Sequence, residues 1–232
     1  MDSNLCRITC LATALLWSTA FAGSVSVPGI AGDLQLEVKS FRERQFGSVL
    51  RQEYDYSCGS AAVASLLSYH YDDPVSEQQV FTAMMAAADV DKVRREGFSM
   101  LDMKRYLETK GYRADGFRLD LAGIRQRIAL PLIVLMTIDG FRHFVVIKGL
   151  SEQEVLIGDP TRGLMIYDHQ KFLSQWDGVA FVIRSHVELG RASFREREHW
   201  PEIAGAPLQR GIDGNELPMG HDLVQWPHSV EW

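Results

Sequence analysis

Cys58 lies in the stretch Gln52-Glu-Tyr-Asp-Tyr-Ser-Cys58-Gly-Ser60, where a loop gives way to an Ala-rich run with helical three-four spacing. A thiol at a first helical turn meets free backbone N–H groups and the positive end of the helix dipole, both of which stabilise a thiolate. A thiolate that attacks a carbonyl also needs a base, a group that orients the base, and donors for the oxyanion. Candidates for each are present. Gln52 precedes Cys58 by six residues, so its carboxamide N–H can join the Cys58 amide as an oxyanion donor; the competing reading is a surface glutamine. Among seven histidines, His143 interrupts the β-branched and aromatic run Phe141-Arg-His-Phe-Val-Val-Ile-Lys148, near the start of an expected strand. It is either the base or a satisfied core residue. Asp159 falls between Gly158 and Pro160 at the end of a further strand. There it is either a turn former or the acceptor of the His143 Nδ1 proton, fixing the tautomer and supporting the imidazolium.

The elements that must position these groups follow from the pattern. Residues 60–70 put Ala62, Val63, Leu66, Leu67 and His70 on one inward stripe. Ser76-Glu-Gln-Gln79 is a capping box ahead of an apolar helix, and Ser99-Met-Leu-Asp102 opens another that Gly111 closes. Met84, Met85, Met100 and Met103 are expected as core filler. A short helix near 121–128 leads into the apolar run 131–138, which the Asp139-Gly140 turn joins to the strand carrying His143. Strands at 154–157, 164–167 and 179–184 follow, with a helix near 169–175. Helices come first and an antiparallel sheet follows, so the fold class is α+β, with nucleophile and base on different lobes.

The N-terminus fixes the expected compartment. Arg7, the uncharged run at 8–18 and Ala20-Phe-Ala22 have the layout of a secretory signal peptide cut after Ala22, and the run is too short for a membrane span. The protein is therefore expected in the periplasm, or alternatively secreted, with no stable membrane insertion after cleavage. Three cysteines occur in the chain, and Cys6 and Cys10 leave with the signal. Cys58 then has no disulfide partner in a compartment that favours disulfides, so it is either inert or kept for its reactivity. The expected segments are the signal (1–22), an N-terminal extension (23–45), a catalytic domain (46–186) and a C-terminal extension (187–232). A formal net charge of −6 without a basic stripe argues against nucleic acid. No Cys-x-x-Cys or His-x-x-x-His spacing marks a metal site, and no cofactor is expected.

Taken together, Gln52, then Cys58-Gly59 heading a helix, then His143-Phe-Val-Val, then Gly158-Asp159-Pro160 resemble the papain-like peptidases that cleave leader peptides after a double glycine, known from bacteriocin-exporting ABC transporters. The resemblance covers about residues 45–185. It implies a papain-like fold, Cys58 as nucleophile, His143 as general base and acid, Asp159 as orienting carboxylate and Gln52 as oxyanion donor. Ser57 stands where transporter-linked members often carry Asp, and the sequence shows no Walker motif. The chain thus looks like a freestanding exported member, similar to the peptidases of bacterial functional-amyloid (Fap) secretion systems. The resemblance implies a polypeptide substrate, an exported amyloid or a secretion-system component, and does not carry double-glycine specificity with it. Two other readings stay open: a cell-wall amidase using Cys and His, and a non-catalytic peptide-binding module of a secretion system.

Overall fold

The computed structural model describes residues 24–29, 32–37, 40–194 and 200. The expected signal peptide, and the C-terminal extension beyond Trp200, lie outside the described residues. The chain divides into two compact units, residues 1–40 and 41–232. In the first, β1 (Ser24–Gly29) and β2 (Gly32–Glu37) pair as an antiparallel hairpin.

The second unit opens with α1 (Phe41–Gln45) and a loop leading to α2 (Cys58–His70). Then come α3 (Glu77–Ala87), α4 (Val90–Glu96) and α5 (Met100–Thr109). The expected capping box forms, Ser76 Oγ accepting from the Gln79 N–H while Gln79 Oε1 accepts from the Ser76 N–H, and Ser99 and Asp102, expected to open a helix, repeat the exchange. Each satisfies two otherwise unpaired donors of a helix start.

The sheet has six antiparallel strands in the order β3-β8-β4-β5-β6-β7. They are β3 (Ala114–Arg118), β4 (Leu132–Ile138), β5 (Phe141–Leu150), β6 (Glu154–Asp159), β7 (Gly163–Asp168) and β8 (Trp176–Ile183). The helix expected near 121–128 is one short turn, α6 (Leu121–Gly123), continuing as a π-helical turn over Ile124–Ile128. Helix α7 (His169–Gln175) precedes β8, and α8 (Val187–Ser193) follows it. The β4–β5 hairpin closes through Asp139 (φ 51°) and Gly140 (φ 82°), the two left-handed residues that a tight hairpin turn demands.

Strand alternation explains why β4 reads as a continuous apolar run. Ile133 faces a core shared with Ala62, Val63, Leu66 and Leu67 of α2 and with Met103 and Leu107 of α5. Leu132, Val134 and Met136 face a second core with Phe172, Trp176 and Ile124. Both faces of the strand are covered as far as Met136, so the first polar residue is the exposed Thr137 near its end. Helix α2 also departs from the one-stripe expectation. Every residue from Cys58 to Leu67 is buried, because α2 lies between the sheet and the outer helices α3 and α5. Part of the expected C-terminal extension packs on this body: α8 contacts α2, and Trp200 joins a cluster with Val49, Leu156 and Leu164. Among the described residues no helix is long and apolar enough to cross a membrane.

Candidate active site

Cys58 is the first residue of α2, placed there by the turn before it. Ser57 N–H donates to the Tyr54 carbonyl (3.0 Å), and Tyr54 N–H donates back to Ser57 Oγ (3.1 Å). Ser57 thus acts as a turn lock with no charge of its own. Gly59 lets the helix start sit against its neighbours: a Cβ there would come within 2.9 Å of Met103 Cε and 3.1 Å of Phe98 Cβ. The sulfur-bearing residue is 7% exposed. It lines a cleft of about 450 Å³ whose walls come from both lobes: Phe98, Met100 and Leu101 on one side, Leu135, Arg142 and Phe144 on the other. Met84 and Met103 are core residues and Met85 and Met100 pack against that core, as expected, and Met100 also lines this cleft.

His143, on β5, and Asp159, at the end of β6, meet across adjacent strands. The atom that bonds Asp159 differs from the expectation. Nε2 of His143, not Nδ1, makes the 2.8 Å hydrogen bond to Asp159 Oδ1. With Nε2 engaged by Asp159, Nδ1 is the ring nitrogen left for the thiol. Cys58 is the imidazole's second side-chain partner, and its hydrogen bond and charge act on the imidazole less strongly than those of Asp159.

The two readings of Asp159 turn out to be compatible. Its Oδ1 accepts from the Thr161 N–H (2.7 Å) and the Arg162 N–H (3.2 Å), as a turn-forming aspartate does, and from His143 as well. Asp159 is 1% exposed. Burial would raise its pKa, but the hydrogen bond and charge of His143, with the two backbone donors, hold it below the usual carboxylate range. His143 shows the complementary balance. Burial would lower its pKa, yet the hydrogen bonds to Asp159 and Cys58 and their charges push it up to about 9. At neutral pH the imidazole is therefore readily held as the imidazolium.

Gln52 is delivered to the same corner by a pinned loop. Lys148 Nζ donates to the Ser48 carbonyl (2.9 Å), Leu50 N–H to Ser65 Oγ (2.8 Å) and Gln52 N–H to the Pro160 carbonyl (3.1 Å). The Gln52 side chain donates through Nε2 to the Tyr54 carbonyl (2.9 Å) and accepts at Oε1 from the Thr161 hydroxyl (3.1 Å). Cys58, His143 and Asp159 are thus brought together directly, and Gln52 joins them through Tyr54, in the turn before Cys58, and Thr161, two residues after Asp159. Such an arrangement can transfer a proton from sulfur to imidazole, hold the imidazolium against a carboxylate and offer the Cys58 N–H beside the sulfur. His70, expected as core, is buried at the far end of α2. There Lys148 Nζ donates to its Nε2 (2.6 Å), while its Nδ1 meets Ser193 Oγ (2.8 Å). Thr161 was missed by sequence reasoning; its signal was only its place two residues after Asp159.

Comparison with known proteins identifies the family. A model of the peptidase C39 family matches residues 47–188. The chain is 42% identical over 169 residues to the "probable functional amyloid protease FapD" of Pseudomonas aeruginosa, covering 73% of this chain and 74% of that protein. It is 38% identical over 179 residues to the protein of the same name from Pseudomonas fluorescens, covering 76% and 79%. Among solved structures, a double glycine motif protease from an AMS/PCAT transporter, crystallised with a leader peptide, aligns with a TM-score of 0.50 and 26% identity, over 58% of this chain and 89% of that one. The chain belongs to the peptidase C39 family: it is a cysteine peptidase with the α+β, papain-like fold.

Proposed function

We propose that this C39 peptidase is an exported endopeptidase that cuts a secreted or amyloid-type polypeptide through Cys58, His143 and Asp159, with Gln52 as oxyanion donor. The observation that carries the reading is the chain of contacts from Cys58 through His143 to the buried Asp159, opening on a cleft between the lobes. The proton of Sγ resides on Nδ1 of His143 in a thiolate–imidazolium pair, and the thiolate attacks the scissile carbonyl. The oxyanion that forms is held by the Cys58 N–H and by Gln52 Nε2, whose two hydrogens allow one to serve the substrate while the other stays on the Tyr54 carbonyl. His143 then gives its proton to the leaving amine, the C–N bond breaks and a thioester remains on Cys58. Water, deprotonated by His143, releases the acid and regenerates the pair. Asp159 holds Nε2–H throughout, so Nδ1 always faces the sulfur.

The cleft sets Phe98, Met100, Leu101, Leu135 and Phe144 beside the charged Lys92, Glu96, Arg142 and Asp177, a mixed lining that can take a polypeptide segment. Similarity to proteins named as functional amyloid proteases supports an amyloid-type substrate. Removal of residues 1–22 on export would place the enzyme in the periplasm or outside the cell. The test is terminal-peptide mass spectrometry of exported proteins from a parent strain and a Cys58→Ala strain. New termini on a small set of exported proteins, seen in the parent alone, are expected; identical sets of termini would overturn the proposal.

A further inference from the structure

Thr161 is the residue through which the two ends of the site meet. Its backbone N–H donates to Asp159 Oδ1 at 2.7 Å, and its hydroxyl donates to Gln52 Oε1 at 3.1 Å. The orientation of the Gln52 carboxamide is not arbitrary. Its other end meets the Tyr54 carbonyl, an acceptor with no proton to give, so that end must be Nε2 and the opposite end must be Oε1. A hydroxyl that faces Oε1 has to donate. The turn that presents Tyr54 ends in Ser57, the residue before Cys58. A ring of contacts therefore runs from Cys58 through His143, Asp159, Thr161, Gln52 and Tyr54 back to Ser57.

We propose that Thr161 is a positioning residue for the oxyanion donor: its hydroxyl holds Oε1 of Gln52 so that Nε2, rather than Oε1, faces the reacting carbonyl. This rests on the oxyanion role proposed for Gln52. Without the hydroxyl the carboxamide keeps only its Tyr54 contact and is free to swing about it. In the fraction of time it is misplaced, the developing oxyanion loses one donor. The Thr161 N–H belongs to the main chain, so the support given to Asp159 and His143 survives any side-chain change. The side chain thus acts on the oxyanion donor alone.

The test uses acylation of Cys58 by 4-nitrophenyl acetate, in which the thiolate attacks the acetyl carbonyl, a thioester forms and 4-nitrophenolate leaves. Thr161→Val keeps the β-branched shape and removes the hydroxyl; it is expected to slow acylation by about 3- to 10-fold, the range of one neutral hydrogen bond. Thr161→Ser, which restores the donor, is expected within about twofold of the parent. In a Gln52→Ala background, Thr161→Val should cost nothing further, because a positioning residue has no effect once its target is gone. The alkaline limb of the pH profile should stay in place in Thr161→Val, since His143 is untouched. A parental rate in Thr161→Val, a full additional loss on top of Gln52→Ala, or a moved alkaline limb would each overturn the inference. Failure of the underlying reading has a different signature: Gln52→Ala would acylate at the parental rate, removing the oxyanion role and this inference with it. Slow Gln52→Ala with parental Thr161→Val would remove this inference alone.

Discussion

Replacing Asp159 by Asn separates the charge of the orienting group from its geometry. Burial alone would lower the His143 pKa, yet Asp159 and Cys58 push it from an ordinary 6.5 up to about 9. At 1.36 kcal/mol per pH unit the gap amounts to roughly 3 kcal/mol in favour of the imidazolium. The Asp159 hydrogen bond contributes more than that of Cys58, and the Asp159 charge more than the Cys58 charge. Asn retains an Oδ1 that can still accept from His143 Nε2–H, Thr161 N–H and Arg162 N–H, so the tautomer and ring orientation persist. Its NH2 takes the place of Asp159 Oδ2, a buried atom without a hydrogen-bond partner among the described residues, at a cost of about 1–3 kcal/mol in stability. The assay is an NMR titration of the His143 ring Cε1–H. The parent should titrate near 9, the Asn variant at least about one pH unit lower, and Cys58→Ala between the two. Stability should follow the same sign. A histidine whose pKa is raised on folding stabilises the native state fully below 6.5, and that contribution is lost as pH rises through about 9. Asp159→Asn should flatten this alkaline decline. An Asn variant in which His143 titrates within about 0.3 pH unit of the parent would refute the assignment of the shift to the carboxylate.

Gly59→Ala would drive a Cβ to 2.9 Å from Met103 Cε, in a side chain that is fully buried. Denaturant unfolding should show a loss of about 1–3 kcal/mol, with slower acylation because the Cys58 amide moves too. Lys148→Met leaves the Ser48 carbonyl and His70 Nε2 without their shared donor. It should lower stability by about 1–3 kcal/mol and slow acylation, because the loop bearing Gln52 loses an anchor; an unchanged unfolding midpoint would refute the role given to Lys148.

The chemistry-bearing residues were legible because each stood at a place where its residue type breaks the local pattern. Cys58 interrupts the passage from loop to helix, His143 sits inside a β-branched run, and Asp159 lies between Gly and Pro. The capped helices α3 and α5 were equally plain, since a capping box is a local exchange of hydrogen bonds that needs no tertiary partner. What escaped was set by distant contacts. Strand β3, Ala-Asp-Gly-Phe-Arg, has little β preference of its own and forms because β8 pairs with it from Ala114↔Ile183 to Arg118↔Val179. The near-complete burial of α2 was hidden for the same reason: the sequence marks α3 and α5 as helices but not that they pack over α2. The choice of Nε2 over Nδ1 depends on which side of the imidazole β6 reaches, which spacing along the chain does not encode. The 23–45 segment read as an extension contains the β1–β2 hairpin and α1, and the latter falls in the larger unit.

The central claim is that the imidazole of His143 makes the sulfur of Cys58 a nucleophile, and intact-mass kinetics with 4-nitrophenyl acetate at neutral pH tests it most directly. One acetyl group per chain should appear on Cys58 in the parent and none in Cys58→Ala, while His143→Ala, which keeps the sulfur, should acylate roughly 10²-fold more slowly or worse. Acetylation of Cys58 at the same rate with and without the imidazole would contradict it.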